Sequence, residues 1–109
     1  MNDLWTDINK RLDLLDVAVK EVGSRGRAYA EAESEYRTAL ASEMLRLRDD
    51  EKYPVTLCPD LARGNRKVAI LKVKRDTSEA LYKAALEAIN VNKLRIKILE
   101  AQLDREYRV

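Results

Sequence analysis

Between positions 63 and 75 the chain carries Arg63, Arg66, Lys67, Lys72, Lys74 and Arg75 and no acid. They fall where a helix is expected to begin, and the free N–H groups and dipole of a helix N-terminus favour anions. Such a cluster suits a polyanion. One candidate is nucleic-acid phosphate, bound with an affinity that falls as salt rises; the other is an acidic protein surface. Arg63, Arg66, Lys67, Lys72 and Lys74 are the residues assigned to that role, with Arg75 reserved for an ion pair. A third outcome is open: Asp49, Asp50, Glu51 and Asp60 lie close by and can neutralise the cluster into a solvated end laced with intramolecular pairs. Tyr53 is the only nearby aromatic, so stacking on bases has little support.

Other chemistry is scarce. The chain contains no His, which removes His-based triads, general bases and metal ligands. The single Cys58 precedes Pro59, has no visible base beside it, and is expected to be a small apolar contact. One cysteine also excludes an internal disulfide and suits a reducing compartment. The three glycines form neither a phosphate loop nor a dinucleotide fingerprint. Carboxylates alternate with Lys and Arg at helical spacing, as on a solvated helix face. No catalytic residue, metal site or cofactor is assigned, and the chain is not expected to be an enzyme.

Two heptad stripes dictate the elements. One reads Trp5, Ile8, Leu12, Leu15, Val19, Val22, Gly26, Tyr29, Glu33, Tyr36, Leu40, Glu43, Leu47; the other reads Leu71, Arg75, Ser78, Tyr82, Ala85, Ile89, Asn92, Ile96, Leu99, Leu103. Both keep an unbroken 3-4 spacing, the signature of coiled-coil helices. With 37% charged and 46% hydrophobic residues, the 109-residue chain is expected to be all-α and a single domain. No apolar run is long enough to span a bilayer and no signal peptide is evident, so a cytoplasmic protein that avoids membranes is expected.

The first helix is predicted over about 3–51, capped by Asn2 or Asp3. The phase passes through Gly23 and Gly26 without a slip, so any effect there is a bend. Pro54 disfavours helix at Tyr53 and closes it. Residues 52–65 form the connector, with one short turn capped by Thr56 and ended by Gly64. Asn65 caps a last helix over about 66–107. The two helices match in length and are predicted to form a long antiparallel coiled-coil hairpin. Pairing residues whose numbers sum to 118 sets Leu47 by Leu71, Leu40 by Ser78, Tyr36 by Tyr82 and Leu15 by Leu103. It also gives Glu43 to Arg75, sets Arg37 near Glu79 and Arg46 near Lys74, and leaves Glu33 with no partner. A shift of seven residues keeps the same phase.

Beside the seam lies a flank of small and apolar residues: Ala18, Ala32 and Ala39 on the first helix, Leu81, Ala84, Ala88 and Val91 on the last. A self-complementary flank of this kind predicts a two-fold dimer forming a four-helix bundle, or a higher oligomer.

The stretches "GRAYAEAESEYRTAL", "PVTLCPDLARGN" and "EAINVNKLRIKILEAQLDRE" resemble small, uncharacterised all-helical proteins encoded by phages and prophages of Gram-positive bacteria, over about Gly26 to Glu106. Where that group has a Gly ahead of "PVT", this chain has "EKY", which predicts a different turn. The resemblance implies a non-enzymatic phage accessory protein acting on another macromolecule, such as inhibition of a host or defence factor, or assembly. The expected partners are a second copy and a host or phage protein. Two alternatives stand beside it: a nucleic-acid-binding accessory of replication or recombination, and a purely structural coiled-coil oligomer.

Overall fold

A computed structural model describes residues 2–107 and, among them, contains helices and no strands. The order is α1 (Asn2–Asp49), α2 (Cys58–Arg63) and α3 (Arg66–Tyr107). The fold is all-α, with α1 and α3 packed on each other. Gly23 and Gly26 lie within α1 and do not interrupt it. Helix α1 starts at Asn2, so Asp3 acts as a first-turn acid rather than a cap; the side chain of Asn2 lies outside the described residues. The chain divides into two compact units, Gly26–Ala80 (the turn unit) and Met1–Arg25 with Leu81–Val109 (the terminal unit).

In the turn unit α1 ends two residues earlier than expected. The N–H groups of Asp50 and Glu51 both bond to the Arg46 carbonyl, and Tyr53 N–H reaches the Leu47 carbonyl at 3.0 Å. Between them Lys52 takes φ 57°, a left-handed conformation that Gly adopts without penalty and Lys does not. The chain then turns through Pro54 and Val55 into α2. Thr56 does not cap it: the N-cap is Leu57, without a side-chain bond. Gly64 follows α2 at φ −78°, so it closes the helix without the left-handed geometry that would need a glycine. Asn65 caps α3 as expected, its Oδ1 accepting from Lys67 N–H at 2.9 Å and Val68 N–H at 3.2 Å.

Helix α2 is more than a turn. Cys58 and Ala62 are buried with Leu47, and Leu40 and Met44 pack against them. Cys58 is thus the expected apolar contact, its thiol also donating to the Pro54 carbonyl at 3.4 Å. Because α2 lies against the last turns of α1, α3 begins further back along α1 than the sum-of-118 alignment placed it. That alignment is overturned. Lys74 Nζ meets Glu35 at 3.1 Å, Arg75 meets Glu33 at 3.5 Å and stacks 4.4 Å from the Tyr36 ring centroid, and Tyr29 bonds to Glu79. All these pairs displace the register by about one heptad. Arg37 therefore pairs with Glu33 rather than lying near Glu79, and Arg46 with Glu43 and Glu51 rather than near Lys74.

In the terminal unit the N-terminal half of α1 lies along the C-terminal half of α3, with Leu4 beside Gln102 and Glu106, and Trp5 beside Leu103 and Tyr107. Under the sum-of-118 pairing Leu4 would have had no opposite residue. Every member of the predicted α3 stripe, in both units, is buried or half-buried. The α1 stripe holds in the turn unit but only by half in the terminal unit. There Ile8, Leu15 and Val22 face inward as expected, while Trp5, Leu12 and Val19 are 54%, 43% and 55% exposed. Their places are taken one residue earlier by Leu4, Arg11 and Ala18, so the inward face is rotated.

Candidate functional site

The turn unit carries the basic cluster. α2 supplies Arg63 and the first turns of α3 supply the rest, so the cap at Asn65 fixes where the cations project. The structure splits the six evenly. Arg63 reaches Asp60 at 3.4 Å, Lys74 is held by Glu35, and Arg75 is held by Asp76 at 2.8 Å as well as by Glu33. Arg66, Lys67 and Lys72 are exposed and make no ion pair among the described residues. The neighbouring acids are largely taken by other arginines: Asp49 by Arg48, Glu51 by Arg46. The expected pairing of Glu43 with Arg75 does not form. Glu43 instead accepts from Arg46 at 2.7 Å and from Asn65, and these contacts hold its carboxyl below the usual range, Arg46 contributing most.

Two open grooves adjoin the free cations. One, of about 650 Å³, is lined by Glu35, Thr38, Ser42, Glu43, Asn65 and Lys67 among others, and its two carboxylates oppose an anion. The other, of about 450 Å³, runs beside Arg66, Lys67, Ile70 and Leu71. Arg66 and Lys67 thus form an open surface patch at the α3 start rather than an enclosed cradle, and Lys72 lines neither groove.

A cluster that sequence reasoning missed lies behind this patch. Glu33 joins Arg37 at 2.6 Å and Arg75, while the Arg75 guanidinium covers the buried Tyr36. Arg75 stays charged more firmly than a free arginine because Asp76, and secondarily Glu33, stabilise its cation. Tyr29 has its hydroxyl shifted upward by burial and by Glu79. The signal was present: Glu33 and Arg75 were two charges on apolar stripes, and a one-heptad slip makes them neighbours. These contacts rigidify the hairpin and use up the groups that could otherwise bind.

The second candidate surface is apolar. Of the flank assigned to an oligomer interface, Ala18 and Ala32 are buried within one chain and Ala39 is half-buried, so this half is corrected: it belongs to the packing of α1 itself. Ala32 is only 1% exposed, its small side chain covered by neighbouring groups. Leu81, Ala84, Ala88 and Val91 on α3 remain exposed in the terminal unit. In the turn unit Leu45, Val55, Leu57 and Leu61 are exposed too, and Met44, Leu45, Val55 and Cys58 line an apolar groove of about 300 Å³. No helix among the described residues is long and apolar enough to cross a membrane. Against known proteins, the chain matches no family model, no curated protein and no solved structure.

Proposed function

We propose that this is a non-enzymatic, phage-type accessory protein that acts in the bacterial cytoplasm by binding another macromolecule, with inhibition of a host or defence factor or a part in assembly as its forms of action. Surface carries the reading. In the terminal unit Trp5, Leu12 and Val19, large apolar side chains at one heptad spacing along α1, are all exposed. Single apolar side chains on a surface are ordinary, but a concentration of them marks an interaction face. Association with itself is included in this reading.

The test is affinity capture with the full chain and with a variant carrying Trp5→Lys, Leu12→Lys and Val19→Lys, both checked for helicity. Each is exposed to cytoplasmic extract from a Gram-positive bacterium. The expected result is a protein retained at least about tenfold better by the wild type, a difference of about 1.4 kcal/mol. Equal retention of every captured protein overturns the use of that face.

A second reading, a nucleic-acid-binding accessory of phage replication or recombination, is favoured by Arg66, Lys67 and Lys72 standing free of ion pairs among the described residues. Three phosphate contacts predict that duplex DNA affinity falls about 40-fold between roughly 50 and 200 mM salt. Binding is expected to be lost on reversing charge at Lys67 and Lys72. Fluorescence anisotropy showing no binding at the lower salt removes this reading.

A further inference from the structure

The terminal unit holds a second 3-4 stripe on α3. Its inward seam there runs through Tyr82, Ala85, Ile89, Asn92, Ile96 and Leu99. Beside it run Leu81, Ala84, Ala88, Val91, Arg95 and Ile98, at the same spacing, and every one is exposed. Five of the six are apolar. On α1 the competing set Trp5, Leu12 and Val19 is interrupted by Asn9 and Asp16, and a two-fold axis through Leu12 would set the two copies of Asp13 beside each other.

Resting on the interaction reading above, we propose that a second copy of this chain packs on the outer α3 stripe, the two α3 segments running antiparallel about a two-fold axis. The alignment follows from the side chains. Placing the axis between Ile89 and Asn90 sets Leu81 against Ile98, Ala88 against Val91, and Ala84 against Arg95 of the second copy. Each contact joins the two alternating positions of the stripe, as antiparallel packing requires. Two of the three distinct contacts put a small side chain under a larger one, so the helices approach closely without a clash.

Charge fits the same alignment. Arg95 is the only charge on the stripe. Neither Arg95 nor Glu87 has an ion-pair partner within the chain among the described residues. With Arg95 over Ala84 of the second copy, Glu87 of that copy lies one turn away, within reach of a long guanidinium side chain. Symmetry makes this pair twice. The product brings four helical segments together, two from each copy.

Sedimentation velocity on the full chain, from low micromolar concentration to the highest attainable, tests the proposal. The wild type is expected to be a dimer and Ala88→Glu a monomer, with helicity by circular dichroism unchanged. Arg95→Glu and Glu87→Arg singly are expected to weaken the dimer about tenfold. The double exchange is expected to restore most of the loss, which a merely destabilised helix would not do. A wild type monomeric throughout, or a dimer indifferent to Ala88→Glu, overturns the proposal. A double variant no better than Arg95→Glu alone overturns the alignment. Capture of a partner through the α1 face by a monomeric chain would sink this inference and leave the functional reading standing.

Discussion

Leu12 and Leu47 occupy the same heptad position of one helix, five heptads apart, and meet opposite fates. Leu47 is 6% exposed and Leu12 is 43% exposed. The difference is a third helix. In the turn unit α2 lays Cys58 and Ala62 over the flank of α1, so Leu40, Met44 and Leu47 are covered on two sides. The terminal unit has only the two long helices, and one partner helix covers only one stripe. Helix α1 there turns Ala18 inward and leaves Trp5, Leu12 and Val19 outside. A heptad stripe therefore states which residues want burial; how many of them obtain it depends on how many elements pack alongside.

The sharpest way to break this comparison is to truncate both leucines. Leu47→Ala is expected to cost about 2–4 kcal/mol, because it empties a packed site. Leu12→Ala is expected to cost less than about 1 kcal/mol, because most of the side chain already meets water. Denaturant unfolding of both variants decides, and equal costs would mean that Leu12 is covered in solution.

Next in size is the charged cluster of the turn unit. Arg75→Met keeps the side-chain stem but removes the cation over Tyr36 and the contacts to Glu33 and Asp76. A loss of about 1–2 kcal/mol is expected by the same measurement. A neutral result would return Arg75 to the pool of free cations and enlarge the basic patch.

Two opposite backbone changes sharpen the contrast further, each expected to stabilise by about 0.5–1 kcal/mol. In the terminal unit Gly23→Ala adds a Cβ that meets nothing within 4 Å and removes unfolded-chain freedom. In the turn unit Lys52→Gly relieves the left-handed backbone at φ 57°. Thermal melts check both; a destabilised Gly23→Ala would show that α1 does not pass regularly through that position.

The smallest effect expected is electrostatic. Glu43 is held below the ordinary carboxylate range by Arg46 and Asn65. At a pH near its unfolded value the unfolded chain therefore binds more protons than the folded one, and stability rises with pH there. The contribution is present above the unfolded pKa and fades as pH falls through the lower folded one. A Tm-against-pH series should show the acid-side decline becoming shallower in Glu43→Gln. An unchanged slope would assign the decline to other carboxylates, Asp49 beside Arg48 foremost.

The all-helical class was legible because periodicity is a local property. The α3 stripe from Leu71 to Leu103, the Asn65 cap and the end of α1 ahead of Pro54 each depend on residues within a turn or two. The candidate site was legible in composition only. The six cations could be read off, but not that Lys74 and Arg75 would be held by Glu35 and Glu33, since those acids lie some forty residues away in sequence. Register was decided by tertiary structure for a related reason: a slip of one heptad preserves every stripe, so the side-chain pattern is blind to it. What broke the tie was the packing of α2 on the end of α1, made from the α2 side by two small residues, Cys58 and Ala62, that belong to no heptad stripe. Sequence by itself determined which faces of the helices are apolar, because that is set by spacing along one helix. Only the tertiary structure decided which of those faces are covered, because burial needs a neighbour and the neighbour is supplied by the fold.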